Sequence, residues 1–177
     1  ILKAKQMVLM GKYKEALIFM QQLSDDNELD LPLLKIESLL NLSRFAEAEK
    51  MTNRVLSKDL PEEDYSYFIT EVGFLFNDVD KFDKAIGYLE ESLKINGSNP
   101  DVLVDLAYAY EMKGEIEKAI EYNNLLLDIN PYSYDAWVNL GKLFTMFEQY
   151  DKAIDSFDFA LTIREDDLSV LKMKAMA

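Results

Sequence analysis

The chain has 177 residues, of which 49% are hydrophobic and 29% are charged, and its formal net charge is −14. This length and composition are typical of a globular protein that can bury a sizeable core within one domain. Cysteine and histidine are both absent, which excludes disulfides, thiol chemistry, Cys/His zinc sites and histidine-based catalytic triads.

The negative charge lies in the second part of the chain. Residues 1–57 carry 8 basic and 8 acidic side chains, whereas residues 58–177 carry 11 basic and 25 acidic ones. Because an acidic surface repels phosphate groups, we expect neither nucleic acid nor an anionic membrane as a partner. The acidity indicates either a preference for a basic partner or a role in solubility alone.

Five short stretches recur along the chain: GKYKEAL, SRFAEAE, DKFDKAI, GEIEKAI and EQYDKAI. They place Ala16, Ala48, Ala85, Ala119 and Ala153 at equivalent positions, with spacings of 32, 37, 34 and 34 residues. A nearly constant period of this length indicates structural repeats that stack on one another.

Each repeat has the pattern of two helices. In residues 102–110 the apolar side chains follow i, i+3, i+4 and i+7, and residues 116–127 continue with a second stripe of the same kind. Asn99 and Pro100 are typical of a helix start, and Gly114 is typical of a helix end between the two stripes. The repeat unit is therefore predicted to be a helical hairpin.

Residues 136–161 combine very large and very small side chains at regular offsets. Gly141, Ala153 and Ala160 are small enough to let two helices approach closely. Larger residues are then needed to fill the space around the crossing, because an interior with voids is unstable. The residues predicted to do this are Trp137, Leu140, Phe144 and Phe157.

At these positions the sequence resembles the tetratricopeptide repeat family, whose pattern is W-x2-L-G-x2-Y followed by A-x3-F. Residues 137–144 match the first part and residues 153–157 match the second. The resemblance implies an all-α fold, a solenoid of stacked antiparallel helical hairpins with a right-handed superhelix, as a single domain over 1–177. The implied units are 1–28 (partial), 29–62 (degenerate), 66–99, 100–133 and 134–167, followed by 168–177 as a cap or a further first helix.

The unit at 29–62 departs from the family pattern. Pro32 occupies the usual tryptophan position, and Ile36 occupies the position that normally holds a small residue. The three additional residues 63–65 are predicted to lengthen the following helix, so that it begins near Pro61.

Other candidate sites are weak. The carboxylate pairs Asp25–Asp26, Glu62–Glu63, Glu90–Glu91 and Asp166–Asp167 are interpreted as solvated surface, because adjacent residues on a helix point about 100° apart. The stretch DDNELD at 25–30 lacks the glycine and the terminal glutamate of a calcium loop. Methionines such as Met7, Met20, Met112 and Met146 are expected to fill the core, although the last two could instead line the edge of a groove.

The resemblance also implies where a partner binds, because family members contact ligands through first-helix positions two, five, nine and twelve on the concave surface. The charges at the matching positions argue against a receptor for acidic chaperone tails: Asp101 and Asp105 replace cationic or amide residues, and Asn139 and Lys142 alone would suit a carboxylate. The implied groove residues are Tyr67, Thr70, Phe74, Asn77, Asp101, Val104, Tyr108, Glu111, Asp135, Val138, Asn139, Lys142 and Thr145.

Three aromatic residues on this face, Tyr67, Phe74 and Tyr108, suggest anchors for an extended or helical partner segment that carries apolar and basic residues. The alternative is that these rings pack between neighbouring units.

We therefore predict a non-catalytic protein–protein interaction scaffold without cofactor, metal or catalytic residues. One alternative is a structural module that forms homo-oligomers through exposed solenoid ends such as SVLKMKAMA, and another is a regulatory repeat region of a larger protein. The start at Ile1 is compatible with an excerpt of a longer chain. With no secretory signal or membrane-length apolar run visible, we expect a cytoplasmic location.

Overall fold

The computed structural model describes residues 1–23 and 29–177, and over these ranges it contains eleven α-helices and no strand. The Asp25–Asp26 pair and most of DDNELD lie outside the described residues. The all-α fold class is confirmed. The helices are α1 Leu2–Leu9, α2 Tyr13–Met20, α3 Asp30–Asn41, α4 Phe45–Leu56, α5 Glu62–Asn77, α6 Phe82–Ile95, α7 Pro100–Met112, α8 Ile116–Ile129, α9 Tyr134–Met146, α10 Tyr150–Ile163 and α11 Leu168–Met176.

The helices form two compact units, unit 1 at Ile1–Asn96 and unit 2 at Gly97–Ala177. In unit 1, α1 packs on α2, α3 on α4 and α5 on α6, with further contacts of α3 with α1, α2 and α5. In unit 2, α7 packs on α8 and α9 on α10, while α8 contacts α9 and α11 contacts α9 and α10. Stacked antiparallel hairpins are thus confirmed within each unit, and a single domain over 1–177 stays a prediction.

The same turn closes all five hairpins. Gly114 has a φ of 76°, as expected for the predicted helix end, and its N–H donates to the carbonyl of Glu111 at 2.9 Å. Ser43, Asp80 and Glu148 adopt this left-handed conformation without being glycines, with φ of 58°, 57° and 57°. In each case the N–H of the next residue bonds to a carbonyl five residues earlier, which satisfies an otherwise unpaired helix-end group.

Helix starts follow the predicted chemistry in the second unit. The Asn99 side chain accepts a hydrogen bond from the N–H of Asp101 at 3.0 Å, and Pro100 occupies the first turn. Asp167, interpreted from the sequence as solvated surface, in fact caps α11, where its carboxylate accepts from the N–H of Ser169 at 2.8 Å. Such caps satisfy amide groups that lack partners inside the helix.

The predicted close crossings are present. A Cβ placed on Gly141 would lie 2.6 Å from Cδ1 of Phe157, and one on Gly73 would lie 2.6 Å from Cδ2 of Leu89. Ala153 is fully buried beside the first of these contacts. Small residues at these positions are therefore required by the approach of the two helices.

The long helix after the degenerate repeat is also confirmed. α5 begins at Glu62, directly after Pro61, and has 16 residues, whereas α7 and α9 each have 13. Among the helices of the described ranges, none is long and apolar enough to cross a lipid bilayer.

Candidate partner-binding surfaces

The predicted groove residues divide between two surfaces because they lie on the first helices of three hairpins. Tyr67, Thr70, Phe74 and Asn77 lie on α5 in unit 1 and define the α5 surface. The remaining residues lie on α7 and α9 in unit 2 and define the α7–α9 surface.

Three large side chains on these surfaces are open to solvent. Tyr67 is 46% exposed, Val104 is 50% exposed and Tyr108 is 45% exposed. Packing within the hairpins does not cover these residues, in contrast to buried neighbours on the same helices such as Phe68 and Leu106. Exposed tyrosines are typical of interaction surfaces, since the ring can bury a large area while its hydroxyl keeps a polar partner.

The charged and amide side chains of the α7–α9 surface are accessible as well. Asp101, Asp135 and Lys142 are exposed, and Glu111 and Asn139 are partly exposed. On the α5 surface Phe74 is partly exposed.

Three predicted groove residues are buried. Thr70 donates a hydrogen bond to the carbonyl of Ser66 at 2.8 Å and shares another with the hydroxyl of Ser92, which joins α5 to α6. Val138 packs with Phe157 in the core of the α9–α10 hairpin. Asn77 is 4% exposed. Thr70 and Val138 therefore contribute to packing within their hairpins, and none of the three side chains is exposed to a partner.

Thr145, at the end of the predicted set, has a local role. Its hydroxyl donates to the carbonyl of Gly141 at 2.8 Å, four residues earlier on the same helix. This is the usual way in which a threonine inside a helix satisfies its hydroxyl.

Two glutamates near the α5 surface were not identified from the sequence. Burial, with a further contribution from the carboxylate of Asp30, raises the pKa of Glu71 on α5. Burial, with a further contribution from Asp78, likewise raises the pKa of Glu37 on α3. Each is a partly buried carboxylate beside a second negative charge on the neighbouring helix or its end, so the ionised form is disfavoured.

Tyr67 lies close to the same carboxylates. Burial raises its pKa, and the carboxylates of Glu71 and Asp30 add to the increase, while Lys5 opposes it. Lys5 Nζ lies 2.7 Å from Oδ2 of Asp30, so this cation is held on the same side of unit 1. Only the pairing of α3 with α5 brings these residues together. The degenerate pattern of 29–62 concealed that pairing in the sequence.

Methionines occupy both environments that the sequence left open. Met20 is fully buried in the core formed by α1, α2 and α3. Met112 and Met146, in contrast, are 52% and 59% exposed at the C-terminal ends of α7 and α9. Core filling is therefore wrong for these two residues, which instead extend the α7–α9 surface.

A pocket of about 370 Å³ in unit 2 is lined by a single short segment, residues 148–152, around the start of α10. Within 1–23 and 29–177 there is no group of three or more Asp or Glu side chains placed to hold a metal ion. A pocket of about 210 Å³ in unit 1 is smaller than the usual small-molecule site. Arg44 at its rim is already paired with Glu47, with Nη2 and Oε2 2.6 Å apart. The pocket is lined by Leu17, Gln21, Lys35, Leu39, Arg44, Glu47 and Met51.

A family model described as tetratricopeptide repeat matches residues 78–131. This segment begins directly after α5 and contains α6, α7 and α8, and it includes the repeat in which the hairpin pattern is clearest. A comparison with curated proteins yields no match.

Several solved structures share the fold. YrrB, described as a TPR protein with an unusual peptide-binding site, is 17% identical, with a TM-score of 0.71 over 97% of this chain and 88% of that one. MamA MSR-1 is 19% identical, with a TM-score of 0.69 over 92% of this chain and 93% of that one. The first TPR of Spaghetti (RPAP3), bound to the HSP90 peptide SRMEEVD, is 17% identical, with a TM-score of 0.58 over 64% of this chain and 90% of that one.

Proposed function

Because residues 78–131 match a tetratricopeptide repeat model and solved tetratricopeptide repeat structures share the fold, we propose that the chain is a non-catalytic scaffold that binds a protein or peptide segment on its first helices. The observation that carries this proposal is the exposure of Tyr67, Val104 and Tyr108 on first-helix faces. Large side chains held open on rigid helices are suited to bury area against a partner. Two proteins of similar fold support the proposal: YrrB has a peptide-binding site, and the first TPR of Spaghetti is bound to a peptide.

The mechanism of such a scaffold is preorganisation. The helices that carry Tyr67 and Tyr108 are already packed in hairpins, and a tyrosine has only two side-chain torsions to restrict. Binding therefore costs less conformational entropy than it would on a flexible segment.

Charge favours a partner with basic residues. Asp101, Glu111 and Asp135 lie beside the exposed residues of the α7–α9 surface. The peptide bound to Spaghetti, SRMEEVD, carries three acidic residues. Such a segment would meet like charges here, so we propose a partner of the opposite character.

The test is affinity capture with Tyr67→Ala and Tyr108→Ala variants. Both variants are expected to keep their helical circular dichroism and to lose the proteins that the unsubstituted chain retains. Tyr132→Ala is the matched control, because Tyr132 is 80% exposed on the loop between α8 and α9 and should keep the partner. Unfolding of the first two variants would assign the rings to the core and contradict the proposal.

Self-association is a second candidate, favoured by exposed apolar residues on the last helix. Leu168 is 71% exposed and Leu171 is 42% exposed, whereas Val170 is buried in the α9–α10 core. If copies associate through this end, light scattering should give a mass above 20.5 kDa. The mass should fall to that value for Leu168→Ser with Leu171→Ser, and an unchanged monomer in both proteins would remove this candidate.

A further inference from the structure

The α7–α9 surface carries an apolar patch that extends beyond the residues predicted from the sequence. Val104, Tyr108 and Met112 follow one another at i, i+4 and i+8 on α7 and are 50%, 45% and 52% exposed. Met146 on α9, 59% exposed, stands at the position equivalent to Met112, 34 residues later. These four residues form what we call the methionine-edged patch.

The patch has the dimensions of a helix face. From Val104 to Met112 it extends eight residues along α7, which is about 12 Å at a rise of 1.5 Å per residue. Met146 occupies the corresponding repeat position on α9, which packs on α8 as α7 does. An amphipathic helix presents apolar anchors at i, i+3 or i+4 and i+7 over a similar length, which matches the row on α7.

The methionines favour the same type of partner. A thioether side chain has no branch and several rotatable bonds, so it can adapt to leucine-like or aromatic anchors of different shape. A surface of this kind accommodates a continuous apolar stripe better than isolated side chains.

The charges around the patch favour a partner segment that carries positive charge. Asp101 precedes it on α7, Glu111 lies beside Met112, and Asp135 begins the α9 side. The nearby cations Lys113 and Lys118 are held by Glu115, at 2.8 and 3.4 Å. A partner with basic residues beside its apolar stripe would therefore meet complementary charge.

We infer that the methionine-edged patch docks a basic amphipathic helix of a partner protein. This inference rests on the proposed function and makes it specific, since it names the conformation and the charge of the bound segment. Val104 and Tyr108 contact the centre of the apolar stripe, the two methionines contact its end, and the three carboxylates contact flanking lysines or arginines. Lys142, exposed on α9, repels such a segment.

The experiment uses the whole chain labelled with ¹³C at its methionine methyl groups. The probe is a synthetic peptide of about 18 residues, roughly five helical turns, with leucines at helical spacing and lysines elsewhere. We expect the Met112 and Met146 resonances to shift on titration, while those of Met20, which is buried, and Met10, which is exposed in unit 1, stay in place. Circular dichroism should show that the peptide becomes helical on binding.

Variants then test the contacts. Met112→Ala with Met146→Ala should weaken the affinity for the peptide about tenfold. Lys142→Glu should strengthen peptide binding, and high salt should reduce that gain. Leu125→Ala is the matched apolar control, because Leu125 is 38% exposed on α8 and lies outside the patch.

Several results would overturn the inference. These are no binding by the unsubstituted protein, shifts at Met10 in place of Met112 and Met146, or equal binding of the same peptide with two prolines in its centre. Shifts of both methyl groups on dilution without peptide would show that a second copy covers the patch. None of these results removes the proposed function, which fails instead if Tyr67→Ala and Tyr108→Ala retain the captured partner.

Discussion

The α9–α10 and α3–α4 hairpins solve the same packing problem with opposite side chains. In α9–α10 the first helix contributes Gly141, and the second contributes Phe157, whose ring fills the space left by the missing side chain. In α3–α4 the equivalent positions hold Ile36 and Thr52, both fully buried. The large residue has moved from the second helix to the first.

The other three hairpins fit the same rule. Their equivalent pairs are Ala4 with Met20, Gly73 with Leu89, and Ala107 with Asn123, and the first-helix residue always precedes the recurring alanine by twelve residues. The crossing requires side chains that fit each other, because an interior tolerates neither a void nor an overlap. The repeat at 29–62 departs from the family pattern in residue type and keeps this physical requirement.

The largest loss of stability is expected when the small residue of the α9–α10 crossing is enlarged. Gly141→Ile places side-chain atoms where the Phe157 ring lies, and we expect a loss of about 3 kcal/mol in the free energy of unfolding. Urea denaturation followed by the fluorescence of Trp137, which stacks on Phe159 with ring centroids 4.5 Å apart, measures the loss within unit 2.

The second half of this experiment copies the other hairpin. Gly141→Ile combined with Phe157→Thr recreates the Ile36–Thr52 pair and should be more stable than Gly141→Ile alone, since the two volumes again compensate. Gly87→Ile is the control, because a Cβ on Gly87 meets nothing within 4 Å. If the losses of stability from Gly141→Ile and Phe157→Thr simply add in the double variant, the two side chains do not compensate for each other's volume.

A smaller effect is expected at the turns that close these hairpins. Glu148 adopts a left-handed φ of 57° where the α7–α8 turn has Gly114 at 76°. Because this conformation is strained for a residue with a Cβ, Glu148→Gly should raise the free energy of unfolding by about 1 kcal/mol, and Gly114→Ala should lower it by a similar amount. Thermal unfolding of both variants checks the pair, and shifts of the same sign would contradict the interpretation.

The smallest effect concerns the carboxylates between α3 and α5. The pKa values of Glu37 and Glu71 are raised above the usual 4.5 in the folded chain, so the folded chain binds these protons more tightly than the unfolded chain does. Their contribution to stability is therefore greatest below about pH 4 and declines as the pH rises through the raised values. Glu37→Gln and Glu71→Gln should each stabilise the protein by about 0.5 kcal/mol at pH 7.

That pH dependence supplies its own check. The gain from either substitution should disappear when thermal unfolding is measured below pH 4, where the natural glutamates are protonated. Glu15→Gln, an exposed position on α2, should show no such gain at any pH. A gain that persists unchanged at low pH would mean that charge is not its cause.

Much of the fold could be predicted because its causes are local. The helical period of residues 102–110, the cap at Asn99 and the turn at Gly114 depend on neighbours within a few positions. The lengthening of α5 followed from the spacing between repeats in the same way.

The candidate surfaces were less predictable. Family positions placed Thr70, Asn77 and Val138 beside Tyr67 and Tyr108, yet the first three are buried and the tyrosines are exposed. A position along a helix gives a direction in space. It does not say how far the neighbouring helix covers a side chain, which depends on the size of residues such as Ser92 and Phe157 on that neighbour.

The sequence by itself therefore determined that this protein is a stack of helical hairpins, because a near-constant period and helical apolar spacing leave few other ways to bury the same residues. The tertiary structure alone decided which side chains remain available to a partner and which carboxylates lie side by side. Glu37 and Asp78 are far apart in the chain, and only the packing of helices on one another brings them close together.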